Sequence, residues 1–129
     1  MPQATLNREE FNLKGVKDSI VIVNALGDIP GGRTLDVTDV TEDYLYAGHV
    51  IARKQNSDST GYIYFPAKIT SGSFDNLSDG EEAVGILKVT IPTKMPIAAI
   101  VTIGQINEAA MPAKLTAELK TALKDIQFV

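Results

Sequence analysis

Ile97-Ala98-Ala99-Ile100-Val101-Thr102-Ile103 is the most apolar stretch of the chain, and its reading governs the rest. Seven residues is strand length. The β-branched Ile97, Ile100, Val101, Thr102 and Ile103 fit a pleated sheet better than a helix, where such side chains lose rotamer freedom. The stretch predicts a buried strand. Just upstream, Pro92 and Pro96 confine Ile91 to Met95 to a connection or a sheet edge, because proline cannot donate to a strand ladder. Ala83 to Val89 predicts the strand before that, entered from a polar loop, Ser71 to Gly80.

Further out, His49 to Lys54 and Gly61 to Phe65 flank the polar run Gln55 to Thr60, the pattern of a hairpin with an exposed tip. Ile51, Ile63, Tyr62 and Tyr64 alternate as in a half-buried sheet. Ser19 to Val23 and Arg33 to Val37 predict two more short strands, separated by the breaker cluster Gly27 to Gly32. Downstream, Leu115, Leu119, Ala122, Leu123 and Ile126 fall on one face of a helix of about twelve residues. Pro112 suits its first turn, where a missing N–H costs nothing. Gln127 to Val129 then fits a last extended piece. The fold class expected is mainly β, with irregular short strands in a sandwich-like or barrel-like arrangement and a C-terminal amphipathic helix. Residues 16–129 form the single β-rich domain, and the polar residues 1–15 a flexible N-terminal arm.

The chain's 129 residues suit one domain with its own core. Hydrophobic residues make up 44% and charged residues 22%, which opposes full-length disorder. Sixteen acidic against twelve basic side chains give a net charge of −4, which opposes a duplex-binding role. No apolar run is long enough to span a membrane, and Met1 to Glu10 has no apolar core of a secretion signal, so a cytoplasmic chain or a particle assembled in the cytoplasm is expected. The absence of cysteine excludes disulfides, thiol nucleophiles and zinc–cysteine sites.

Chemistry-bearing residues are sparse. His49, the single histidine, stands without a nucleophile-elbow motif and reads as a structural or surface residue. Asp36, Asp39, Glu42 and Asp43 read as a solvated acidic face, since their spacing matches no cation-binding loop. Asp75 to Gly80 fails as a calcium loop because Leu77 stands where an oxygen ligand belongs. Arg53 and Lys54 beside Tyr62 and Tyr64 offer a basic, aromatic surface of the kind that stacks single-stranded bases, though the net charge opposes that use. No catalytic, metal or cofactor residue is expected.

Asp79-Gly80-Glu81-Glu82-Ala83-Val84-Gly85-Ile86-Leu87 resembles the D-G-x-x-A-V-G-I-L segment of the phage lambda head decoration protein family. Three further segments resemble the family in the same order: Leu45 to Ile51 as a strand start, Gly104 to Pro112 as the passage towards the C-terminal helix, and the amphipathic stretch ending in Ile126-Gln127-Phe128-Val129. The resemblance covers about half the chain. It implies a structural virion protein with a β-clip-like fold, one that binds the outside of the capsid shell as a homotrimer and stabilises it after expansion. The major capsid protein is then the partner, with neither nucleic acid nor membrane involved. Ala4, Thr5 and Leu6 of the arm are the partner-binding residues expected to add as a strand to an exposed edge. Within the trimer, Ile97 to Ile103 is expected in the core and the connection Pro92 to Pro96 at the contact. Two other readings stay open: a head-fibre base or adhesive module, and a small trimeric nucleotide hydrolase using Asp36, Asp39, Asp43 and Arg33.

Overall fold

A computed structural model describes residues 18–29, 32–58 and 60–129. The arm, with Ala4, Thr5 and Leu6, lies outside the described residues. The elements in chain order are α1 (Asp18–Val21), β1 (Ile22–Asp28), β2 (Arg33–Thr34), β3 (Tyr44–Leu45), β4 (Val50–Gln55), β5 (Tyr62–Pro66), β6 (Ile69–Thr70), β7 (Ser73–Phe74), β8 (Glu81–Leu87), β9 (Ile91–Pro92), β10 (Ile97–Ala98) and β11 (Ile100–Ile106). A 3₁₀ turn (Glu108–Ala110), α2 (Ala117–Ala122) and β12 (Ile126–Phe128) complete the chain. The protein is mainly β, with open sheets and a few short helices.

The main sheet runs β1-β11-β8-β4-β5, with β12 parallel to the end of β11. Three two-stranded ladders, β10–β2, β3–β9 and β6–β7, surround it. Its central strands are apolar at successive positions because both faces are covered. Val50, Ile86 and Val101 face one core, together with Phe74, Ile106, Leu119 and Leu123. Their chain neighbours Ile51, Leu87 and Ile100 face a second core with Leu35, Leu45 and Ile91. Successive side chains of a strand point to opposite faces, so each such pair feeds both cores.

Gly85 explains how closely these strands approach. A Cβ there would collide with the Val101 carbonyl oxygen and sit 2.9 Å from Ile100 Cγ2. The β4–β8 ladder slips beside it, between Ile51 and Ala52. Only a residue without a side chain fits this crossing.

The hairpin forms as its sequence pattern predicts, with Arg53 opposite Tyr64 and Lys54 opposite Ile63. Four other expectations change. The apolar stretch Ile97 to Ile103 is two elements, because β10 leaves to pair with β2 while β11 enters the main sheet. Its ends, Ile97 and Ile103, are exposed, whereas Ile100 and Val101 are fully buried, so the expected core strand is core only in its middle. Ser19 to Val23 is split between a helical turn and β1, and β1 carries on through Gly27 and Asp28 into the expected breaker cluster. The Ser71 to Gly80 loop holds a core residue: Phe74 is 1% exposed, held by Phe74 N–H donating to Lys114 O at 2.9 Å.

The fourth change concerns the tail. The helix has six residues rather than about twelve. It starts at Thr116, whose hydroxyl accepts from Leu119 N–H at 3.3 Å, so Pro112 precedes it instead of occupying its first turn. It stops at Leu123, whose ψ of 54° leaves the helical region, because Ile126 to Phe128 is drawn into the sheet beside β11. Of the predicted apolar face, Leu119, Leu123 and Ile126 are buried, Leu115 is half-buried and Ala122 is exposed, and a ladder along β11 replaces the missing helical turns.

Candidate functional site

His49 follows Gly48, whose φ of +96° favours glycine. A Cβ on Gly48 would lie 2.6 Å from Val21 Cγ1 and 3.1 Å from Pro112 Cδ. This tight corner starts β4 and turns the imidazole inward. His49 is buried, its Nε2 lies 2.7 Å from the Ala67 carbonyl oxygen, and its ring meets Phe74 edge-on at 5.1 Å. Burial pushes its pKa below the ordinary value, against the opposing pull of the Ala67 hydrogen bond and of Glu42. The imidazole, read from sequence as a structural or surface residue, is thus buried and bonded to a backbone carbonyl.

His49 forms part of the wall of a cavity of about 710 Å³ that also takes in Asp36, Asp39, Glu42, Lys54 and Lys68. Two of these carboxylates have local partners. The hydroxyl and backbone N–H of Thr38 both donate to Asp36, holding its carboxyl below the usual range, and Asp39 lies 3.7 Å from Lys68 in an exposed pair. Of the four residues named for a hydrolase, the structure gathers Asp36 and Asp39 here. Asp43 instead closes a loop, its carbonyl accepting from Thr93 N–H at 2.9 Å, and Arg33 lies over the Tyr64 ring at 5.6 Å. Among the described residues no group of three or more acidic or histidine side chains is placed to hold a metal ion.

The basic, aromatic surface is real but internally committed. The Arg53 guanidinium lies 4.0 Å from the centre of the Tyr62 ring and pairs with Glu82 at 2.5 Å. Burial raises the Tyr64 phenol, but hydrogen bonds from Arg53 and Arg33 outweigh it and hold the group below its ordinary value. Arg53 thus serves three neighbours at once. The arrangement stiffens the β4–β5–β8 surface and leaves Arg53 little freedom for a phosphate.

The least expected feature is β1. Along its ladder with β11, Ile22 faces Ile106 and Asn24 faces Gln105, which leaves Val23 as an extra residue. Ala25 faces Gly104 and Gly27 faces Ile103, which leaves Leu26 as a second. Bulges re-aim side chains and spoil an edge as a template for another strand. Val23 is 52% exposed and Leu26 68%, with Ile103 of β11 beside Gly27 at 47%. Other exposed apolar residues are Val89 and Met95 (65%), on the connections that enter and leave β9, and Ile97 (57%), the first residue of β10. Sequence reading placed Met95 in the expected contact loop but took Ile97 and Ile103 as core and missed Val23 and Leu26. Only the register of β1 reveals these last two. Comparison of the chain with protein families, with curated proteins and with solved structures finds no match.

Proposed function

We propose that the chain is a phage or prophage head decoration protein with a β-clip-like fold, which binds the outside of the capsid shell as a homotrimer and stabilises it after expansion. The observation that carries this reading is the exposure of large apolar side chains on strands and their connections, above all Leu26, Met95 and Ile97. A domain that buries two cores and still presents such residues has surface suited to lasting contacts with other chains. The placement of the segments that resemble the decoration family adds support. Leu45 to Ile51 and Asp79 to Leu87 lie side by side, with Gly48 N–H donating to Leu87 O and Leu87 N–H to His49 O, both at 2.9 Å. Gly104 to Pro112 takes in the end of β11, which pairs with β8. Gly48 and Gly85, which both fall in those segments, are positions that a side chain would not fit.

The arm carries the shell contact in this reading: Ala4, Thr5 and Leu6 add as a strand to an edge of the major capsid protein. Three arms on one trimer act through effective concentration, so weak individual contacts suffice. The test is quantitative mass spectrometry of purified particles. A copy ratio to the major shell subunit near one supports a decoration lattice, and removal of the residues before Asn12 should then abolish shell binding while the fold stays intact. A few copies per particle point instead to a fibre base, and absence from particles overturns the virion reading. The cavity holding Asp36 and Asp39 beside His49 favours one second reading, a nucleotide hydrolase. Turnover of nucleotides that is lost in Asp39→Ala would establish it.

A further inference from the structure

We propose that the cavity beside His49 binds a small organic cation with an apolar body, a primary amine whose ammonium group donates to His49 Nδ1 and pairs with Glu42. Such a site is independent of the decoration role.

A carbonyl oxygen only accepts, so the 2.7 Å contact with Ala67 O makes His49 Nε2 the N–H donor of the ring. In the neutral imidazole Nδ1 is then a bare acceptor. Among the described residues nothing donates to it, although His49 is only 7% exposed. A buried acceptor without a donor is costly, and few are left so without a reason. His49 belongs to the wall of the cavity of about 710 Å³, which has the ordinary size of a small-molecule site and far more room than one water needs.

Charge gives the sign of the ligand. The wall carries four carboxylates, Asp36, Asp39, Glu42 and Glu81, against two ammonium groups, Lys54 and Lys68. Three of the carboxylates have partners. Asp36 accepts from the Thr38 hydroxyl and backbone N–H, Asp39 pairs with Lys68, and Glu81 accepts from Ser78 N–H at 3.0 Å. The Glu42 carboxylate has no hydrogen bond or ion pair among the described residues, and its charge acts on the His49 ring. Its backbone is held, because Thr93 Oγ1 donates to Glu42 O at 3.0 Å. A bare carboxylate and a bare acceptor in one wall call for a cation that carries N–H groups. A metal ion fits less well, since no three acidic or histidine side chains among the described residues are grouped to hold one.

The remaining wall suits an organic body. Tyr44, Tyr46 and Phe65 line the cavity, all half-buried. Aromatic faces attract an ammonium group and cover the apolar part of an amine. His49 N–H donates to Tyr46 O at 3.2 Å, a turn that ties these two wall residues together.

NMR titration of the full-length chain at about pH 7.5, where His49 is neutral, provides the test, with phenethylamine as the probe. Phenethyltrimethylammonium keeps the charge and the ring but has no N–H, and 3-phenylpropionate reverses the charge. The expected result is saturable shifts confined to the cavity wall, with a Kd of about 1 mM or tighter for phenethylamine. Binding should be about tenfold weaker for the trimethyl compound and absent for the acid. Glu42→Gln should keep the fold, since Glu42 is exposed, and weaken phenethylamine binding about threefold. Equal affinity for phenethylamine and its trimethyl counterpart would remove the His49 contact and overturn the proposal, as would unchanged binding by Glu42→Gln. No saturable shift at about 20 mM, or shifts outside the wall, would overturn it as well. Tighter binding of ATP at the same wall would overturn it in favour of the hydrolase reading. None of these outcomes touches the copy ratio in particles, so the amine site and the decoration role stand or fall separately.

Discussion

β8 and β1 are each seven residues long with apolar residues among polar ones, and the molecule treats them in opposite ways. β8 lies between β11 and β4, and its Gly85, Ile86 and Leu87 are buried. β1 lies at an edge, slips register three times against β11, and turns Val23 and Leu26 outward. Apolar sequence makes a strand in both places. What differs is the number of neighbours: β8 is flanked by two ladders and its ladder with β4 slips once, whereas β1 has one ladder and accommodates extra residues by bulging. The comparison teaches that burial follows position in the sheet, and that the apolar residues of β1 are spare for another surface.

The largest effect expected from this contrast is in β8. Ile86→Ala should cost about 2–5 kcal/mol in urea unfolding, since a fully buried side chain is lost and a cavity remains. Gly85→Ala should cost about 2–3 kcal/mol, because its methyl group meets the Val101 carbonyl in a strand that cannot move aside. A neutral Gly85→Ala would mean that β8 and β11 do not cross as closely as described.

A pH effect is next in size. Burial lowers the pKa of His49 in the folded chain, so between that value and the ordinary 6.5 the unfolded chain binds the extra proton. Stability should be full above about pH 6.5 and fall on acidification at up to about 1.4 kcal/mol per pH unit. Asp36 and Asp58, held low by threonine hydrogen bonds, also lose their contribution as pH falls, but only below the ordinary carboxylate range. Unfolding midpoints from pH 7.5 to 5 should therefore slope in the native chain and flatten in His49→Gln. An unchanged slope would assign the effect elsewhere.

The smallest expected effect sharpens the comparison most. Leu26→Ser should change the stability of the isolated monomer by no more than about 0.5 kcal/mol, as for any exposed residue. A cost matching that of Ile86→Ala would show that β1 is as internally committed as β8.

Legibility from sequence followed the reach of the interactions. The hairpin of β4 and β5 was readable because its strands are close in sequence and its turn residues lie between them. His49 read as a structural or surface residue, and only the fold shows it buried against Phe74. Phe74 was hidden inside a polar loop, because the core residues that bury its ring are distant in sequence, and its N–H donates to Lys114, forty residues away. The short helix was misjudged because its apolar period runs on through Ile126, while the β11–β12 ladder takes that residue into the sheet.

The amino-acid sequence by itself determined that this is a β-rich chain, that its middle holds a hairpin, and that cysteine chemistry is absent. Those properties follow from composition and from periodicity over a few residues. Tertiary structure alone decided which apolar strands are interior, why Gly48 and Gly85 tolerate no side chain, and that Val23 and Leu26 face outward. Hydrophobic burial is non-directional and falls as readily to one apolar strand as another. The register of the ladders assigns the inside and the outside, and that register is set by contacts between strands distant in sequence.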